Sequence, residues 1–252
     1  YGRMPGAEVG RKEEWGRIWA EGRPMVKLGG YMTVAAVLTE AVNYVFIACL
    51  TRLGGEETVG VYQSGYTIIT RYVGMIFAAI GVEYYPRLAG AAGYPRRMGF
   101  FVAHEIRLIM TILLPVLLAF VPLVPLVVRL LYSNQFTDAI PYIIAAVPGT
   151  VLRGYSWCIA FVILARGDGL IYLLTESVSA VVMLAVNVAG YCLGGLTGLG
   201  VGFTLWYALY ALTVEVVYRR RYGLSLPWRP VMLTMVTFAL TTVAAWCMLS
   251  IK

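Results

Sequence analysis

Seven stretches of this chain stay apolar for about 20 residues or more, the length that an α-helix needs to cross a hydrocarbon core of about 30 Å. They run approximately over residues 25–50, 59–83, 105–131, 139–164, 169–193, 199–218 and 230–250. In lipid every backbone amide and carbonyl must find its partner within the protein, so only helices and closed barrels span a bilayer. The runs are unbroken and lack the two-residue alternation of a barrel strand. The reading is therefore all-α: a polytopic membrane bundle of about seven transmembrane helices. A soluble domain is excluded by composition, because 60% of the residues are hydrophobic and only 13% are charged, against roughly 25% charged in soluble domains.

The net charge of +7 raises the question of a nucleic-acid partner, and its distribution answers it. Basic residues gather in alternate loops: Arg3, Arg11, Lys12, Arg17 and Arg23, then Arg87, Arg96 and Arg97, then Arg166, then Arg219, Arg220, Arg221 and Arg229. The intervening loops contribute Arg52, with Lys252 at the end. That asymmetry is the positive-inside pattern and not a groove for a phosphate backbone. It places the amino end in the cytoplasm and the carboxyl end outside, with no nucleic acid involved. The polar opening segment, which starts at Tyr1 and has no signal-peptide pattern, reads as a loop within a longer protein. Residues 1–24 form a cytoplasmic loop or an interfacial helix, in which Trp15, Ile18 and Trp19 lie at helical spacing.

Chemistry by catalysis finds little support. Cys49, Cys158, Cys192 and Cys247 are each isolated, so neither a zinc site nor a disulfide framework is indicated. There is one histidine, His104, and no Walker A motif, Ser/His/Asp set or His-Glu-x-x-His. We read no enzyme, no cofactor and no metal site. Gly198 and Gly202 give small-xxx-small spacing for close helix packing, Gly194-Gly195 and Gly167-Asp168-Gly169 mark tight turns, and Glu215 and Arg219 pair at i,i+4. Pro115, Pro122, Pro125, Pro141 and Pro148 fall in the third and fourth spans, where prolines kink helices.

The informative residues are polar ones at membrane depth, where a charge costs about 2.5–3.5 kcal/mol on insertion scales. Glu40, Arg71, Arg153 and Glu176 all fall inside apolar runs. On helical spacing, Gln63, Tyr66, Thr67, Thr70, Arg71 and Gly74 form one stripe, and Thr33, Glu40, Asn43 and Tyr44 another. Thr150, Arg153 and Trp157 share a face, as do Tyr172, Thr175, Glu176 and Ser179. Such stripes face a bundle interior or a cavity. Two arrangements satisfy them. Either Glu40 pairs with Arg71 and Glu176 with Arg153 as neutralised bridges, or the arginines line a cavity where guanidinium meets an anionic group. The tyrosines at 62, 66, 72 and 155, with Trp157, would give such a cavity an amphipathic wall.

Several segments together resemble the polysaccharide-exporter branch of the multidrug/oligosaccharidyl-lipid/polysaccharide flippase superfamily, the Wzx-type flippases. They are Thr51-Arg-Leu-Gly-Gly-Glu-Glu-Thr-Val-Gly-Val-Tyr62, Tyr84-Tyr-Pro-Arg-Leu88, Arg129-Leu-Leu-Tyr-Ser-Asn-Gln-Phe136 with Ala139-Ile-Pro141, Leu164-Ala-Arg-Gly167, and Gly195-Leu-Thr-Gly-Leu-Gly-Val-Gly202. The resemblance implies a six-helix carboxyl-terminal transporter lobe over 25–218, and a loop with an additional helix over 219–252. It also implies a missing amino-terminal lobe of the same protein as partner. The implied activity is alternating-access translocation of an undecaprenyl-diphosphate-linked oligosaccharide across the bacterial inner membrane, for cell-surface polysaccharide such as O-antigen of lipopolysaccharide. The partners would be that lipid-linked oligosaccharide, membrane lipid, and a coupling proton or Na+. The substrate-binding candidates are Arg71, Arg153, Glu40, Glu176, Asn43, Gln63, Tyr66, Thr70 and Trp157, none of them catalytic. A related multidrug or cation antiporter, centred on Glu40 and Glu176, is the alternative. A membrane glycosyltransferase or polymerase is disfavoured by the short external loops.

Overall fold

The computed structural model describes the backbone of residues 6–132 and 134–250 and the side chains of residues 22–71, 74–132 and 135–250. The side chains of Trp15, Ile18, Trp19 and Tyr72 lie outside the described residues. The described elements are all helical: α1 (Gly6–Thr67), a π-helical turn (Ile68–Tyr72), α2 (Val73–Gly90), α3 (Pro95–Leu131), a short 3-10 turn (Asn134–Phe136), α4 (Ala139–Ala165), α5 (Gly169–Arg220) and α6 (Trp228–Ser250). Five helical stretches, Gly22–Gly90, Pro95–Leu131, Ala139–Ala165, Gly169–Arg220 and Trp228–Ser250, are long and apolar enough to cross a membrane. The chain is a membrane protein.

Two of those five are far longer than one crossing requires, and each folds back on itself at glycine. Gly55 adopts φ 81°, ψ 172° within α1. Phe46 and Tyr62, which a straight helix would hold about 24 Å apart, have ring centroids only 5.3 Å apart. In α5 the break is at Gly194 (φ −147°, ψ 18°) and Gly195 (φ 57°, ψ −138°). Beyond it the two arms run side by side. Gly190 and Gly198 meet backbone to backbone, and a Cβ on either would overlap the carbonyl of the other. A two-helix hairpin with almost no loop needs one residue in a conformation that only glycine adopts without strain. The expected link after residue 50 thus proves to be helical on both sides of Gly55, with no extended loop. The expected tight turns at 194–195 and 167–169 are present, Gly167 having φ 70°.

α4 is the axis of the bundle. Ten consecutive residues, Tyr142 to Val151, are buried, as expected of a helix that is apolar all round. α5, α3, α6, α1 and α2 all pack against it. The closest approach is to the second arm of α5, where Gly149 lies against Phe203 and Thr204, and Gly200 lies against Tyr142 and Ala145. The prolines are accommodated in different ways. Pro141 falls in the first turn of α4, where no helical N–H is needed, whereas Pro115, Pro122, Pro125 and Pro148 lie within helices that continue past them. α6 packs on α3 and α4 through Pro230, Thr234, Thr237, Thr241 and Ala245. Its threonines can be buried because their hydroxyls donate to carbonyls within the helix, Thr234 to Pro230 and Thr237 to Leu233 at 2.9 and 2.8 Å.

Contacts across the bundle fix which ends lie together. Tyr31 of α1 packs on Gly169. The Tyr222 hydroxyl donates to Asp168 at 2.8 Å, and Gly99 lies beneath the hydroxyl of Tyr218. These residues all belong to the arginine-rich loops or to the helix ends beside them. At the opposite end Gly54, next to the α1 reversal, touches Tyr191, next to the α5 reversal.

Gly198→Ala is expected to lower stability by about 1–3 kcal/mol, because the new methyl meets a backbone carbonyl that cannot yield. Gly60→Ala has open space around it and should be neutral or stabilising by up to about 1 kcal/mol. Thermal unfolding of both variants in detergent measures the difference.

Candidate functional site

Arg153 lies near the midpoint of α4, about 18–21 Å along the helix from either end. A guanidinium at that depth needs acceptors, and the π-helical turn provides one. In a π turn the hydrogen-bond ladder shifts out of its i→i−4 register, which changes the partners of the local carbonyls. Arg153 Nη1 donates to the Thr70 carbonyl at 3.3 Å. Thr70 Oγ1 in turn donates to the Tyr66 carbonyl at 2.6 Å. The guanidinium is held between two ring faces, 5.6 Å from the centroid of Phe77 and 5.9 Å from that of Tyr207, a cation–π arrangement that gains strength away from water.

Beside Arg153 is a cavity of about 310 Å³ between α4 and both arms of α5. Arg153, Trp157, Tyr172, Glu176, Tyr207 and Tyr210 are among its walls. Glu176 is half-buried, and its Oε1 accepts from the Tyr210 hydroxyl at 2.5 Å. One turn away, Trp206 Nε1 donates to Ser179 Oγ at 2.9 Å. The stripe Tyr172, Glu176, Ser179 therefore faces the second arm of α5, as its helical spacing implies. Trp157 continues an aromatic wall with Phe77, Tyr84 and Phe161, its ring centroid 4.4 Å from that of Phe161.

The paired-bridge arrangement does not occur. Among the described residues the ion pairs are Glu83–Arg87, Glu215–Arg219 and Asp168–Arg221. Glu215 is the expected i,i+4 partner of Arg219 at 2.6 Å and also accepts from Tyr155 at 2.5 Å, which removes Tyr155 from the cavity set. His104 is stacked on Phe100 with centroids 6.3 Å apart.

The sequence candidates divide into two groups. Arg153, Trp157 and Glu176 line the cavity, while Thr70 reaches Arg153 through its carbonyl and half-buried Tyr66 packs edge-on to Phe203 at 6.5 Å. Glu40, Gln63 and Arg71 are exposed on the surface of α1 and the π turn, with Asn43 half-buried near them. Sequence reasoning missed Phe77, Tyr207 and Tyr210. Tyr207 and Tyr210 carry the same i,i+3 spacing as the stripes that were recognised, but an aromatic pair in an apolar run has no charge to set it apart from packing.

A family model described as "Polysaccharide biosynthesis protein" matches residues 11–141, just over half of the chain. The match contains Glu40, Asn43, Gln63, Tyr66, Thr70 and Arg71 and ends before Arg153. No curated protein and no solved structure matches the chain.

Tyr210→Phe is expected to destabilise the protein by about 1–3 kcal/mol, because it leaves a half-buried carboxyl oxygen without its donor. Glu176→Gln, which keeps an acceptor for Tyr210, should cost less. Thermal melts of the two variants and the double variant form the cycle that isolates the pair.

Proposed function

The chain belongs to the polysaccharide biosynthesis protein family, and we propose that it acts there as a lobe of a flippase. Its cargo would be an oligosaccharide joined through a diphosphate to a lipid carrier, undecaprenyl in a bacterial inner membrane. Counting each glycine-broken helix as two crossings gives seven spans, with the arginine-rich loops in the cytoplasm. That count supports reading the chain as the carboxyl-terminal lobe of a multidrug/oligosaccharidyl-lipid/polysaccharide flippase with one helix added.

The observation that carries this reading is Arg153, a mid-depth cation with no acidic partner, which borders a cavity of mixed polar and aromatic character. Its planar donor fork suits a diphosphate, and the surrounding rings suit sugar faces. Glu40, Gln63 and Arg71 extend the polar surface along the outer face of α1 and the π turn. Lipid cannot hydrogen-bond those groups, which supports a reading in which that face would line a central cavity shared with a second lobe. Rocking of the lobes would expose the cavity to each side in turn while the lipid tail stays in the membrane. Glu176 would moderate the charge of Arg153 or take up a coupling proton or Na+.

The acidic and tyrosine-rich half of the same cavity supports a second reading, export of cationic compounds, since Glu176 and three tyrosines also suit a cation. One set of variants distinguishes the two. In the full-length protein, Arg153→Ala and Arg71→Ala should each lower glycan export in cells at least about tenfold, the loss of one charge-assisted hydrogen bond of about 1.5 kcal/mol to the diphosphate. Arg153→Lys should retain part of the activity. Unchanged export in both alanine variants would reject the flippase assignment. Loss of drug export in Glu176→Gln, with Arg153→Ala unaffected, would establish the cation reading.

A further inference from the structure

A second polar cavity lies at the arginine-rich end of the bundle, away from Arg153. It has a volume of about 420 Å³ and sits between the start of α3 and the segment that links α5 to α6. Arg96, Arg107, Ser225, Gly99, Phe100 and Leu224 are among its walls, and no carboxylate lines it. Arg107 Nε donates to the Ala103 carbonyl at 3.2 Å, which leaves its terminal nitrogens available. Neither Arg96 nor Arg107 is in an ion pair among the described residues, whereas Arg87, Arg219 and Arg221 are. The cavity also opens beside the first turn of α3, which begins with Pro95 and has no side-chain cap. Its unsatisfied amides add positive character.

The depth of this cavity identifies what it can meet. From Leu108 to Val128 α3 carries no charge, and those 21 residues alone rise about 31 Å, enough for the hydrocarbon core. Arg107 is therefore at the boundary, level with lipid headgroups, and the turns from Pro95 to Arg107 extend outward from it. Phe100, about 10 Å along α3 from Arg107, and Trp228, the first residue of α6, are well exposed, as belt residues are at a membrane interface. Arg97 lies 5.1 Å from the Tyr94 ring and Arg229 lies 5.9 Å from the Trp228 ring.

We propose that this cleft is a binding site for the phosphate headgroup of an anionic phospholipid in the leaflet at the Pro95 end, held by Arg107 and Arg96. The proposal does not depend on what the protein translocates. Headgroup phosphate and free phosphate share the same chemistry, and the rim of Phe100, Leu224 and the neighbouring prolines favours the lipid, whose glycerol and upper acyl carbons would cover it.

The test is native mass spectrometry of the full chain in detergent, titrated with phosphatidylglycerol, with phosphatidylcholine and with inorganic phosphate. Wild type should bind one phosphatidylglycerol in preference to phosphatidylcholine. Arg96→Gln/Arg107→Gln should lose about fivefold in affinity per arginine, while Arg23→Gln/Arg220→Gln, with the same charge loss at the same end, should stay within about twofold of wild type. Arg96→Gln alone, at an exposed first-turn position, provides the fivefold reading if the double variant does not fold. An unchanged lipid preference in the cleft variants, or an equal loss in the control, would overturn the site. Complete displacement of phosphatidylglycerol by millimolar inorganic phosphate would show a free-anion site and overturn the lipid assignment.

Discussion

Within a bilayer a backbone amide or carbonyl has no water to turn to, and the organisation of this chain follows from that restriction. The described elements are helical, and the departures from helix inside long helices fall at glycine, at Gly55 and at Gly194–Gly195. A reversal completed within one or two residues exposes few carbonyls, which is why both hairpins close with almost no loop. The remaining departure, the π turn Ile68–Tyr72, is at mid-bundle, and Arg153 donates to the Thr70 carbonyl there. One hydrogen bond thus links the irregular turn to the most buried helix, and positions the guanidinium against Phe77 and Tyr207.

That arrangement separates two kinds of charge. The ion pairs at the arginine-rich end, Arg219–Glu215 within α5 and Arg221–Asp168 between its two ends, set an acid beside each arginine. Arg153 is instead satisfied by a carbonyl and two ring faces, so its positive charge is not cancelled by a neighbouring acid. Glu176 similarly rests on a tyrosine hydroxyl. A cavity bordered by an arginine and a glutamate that form no ion pair is costly in lipid. The family model that matches the chain is described as a polysaccharide biosynthesis protein, and the cargo proposed above carries both a diphosphate and sugars.

Much of this was legible in the chain itself. The apolar runs, the alternation of basic loops, the turns at 167–169 and 194–195 and the pairing of Glu215 with Arg219 follow from local composition and spacing. The shared face of Tyr172, Glu176 and Ser179 was also readable, because helical periodicity states which side chains point the same way. The extent of α3 was less so. Its first three turns, which carry Arg96, Arg97, His104 and Glu105, are too polar for an apolar run to reveal, yet they continue the same helix.

Periodicity does not state what a face will meet. Arg71 and Arg153 look alike in sequence, each a lone cation in an apolar run, and so do Glu40 and Glu176. Packing places Arg153 and Glu176 on one cavity and leaves Arg71 and Glu40 exposed on the bundle surface. Gly55 was one glycine among several in its region until the approach of Phe46 to Tyr62 identified it as a reversal. Phe77, Tyr207 and Tyr210 became site residues only because α2 and the second arm of α5 converge on α4. The sequence determined that the chain is a helical membrane bundle and where its charges sit in depth, since both depend on local transfer free energy. Which charges share a cavity was decided by tertiary structure, because that depends on the closeness with which glycine-bearing faces allow the helices to approach.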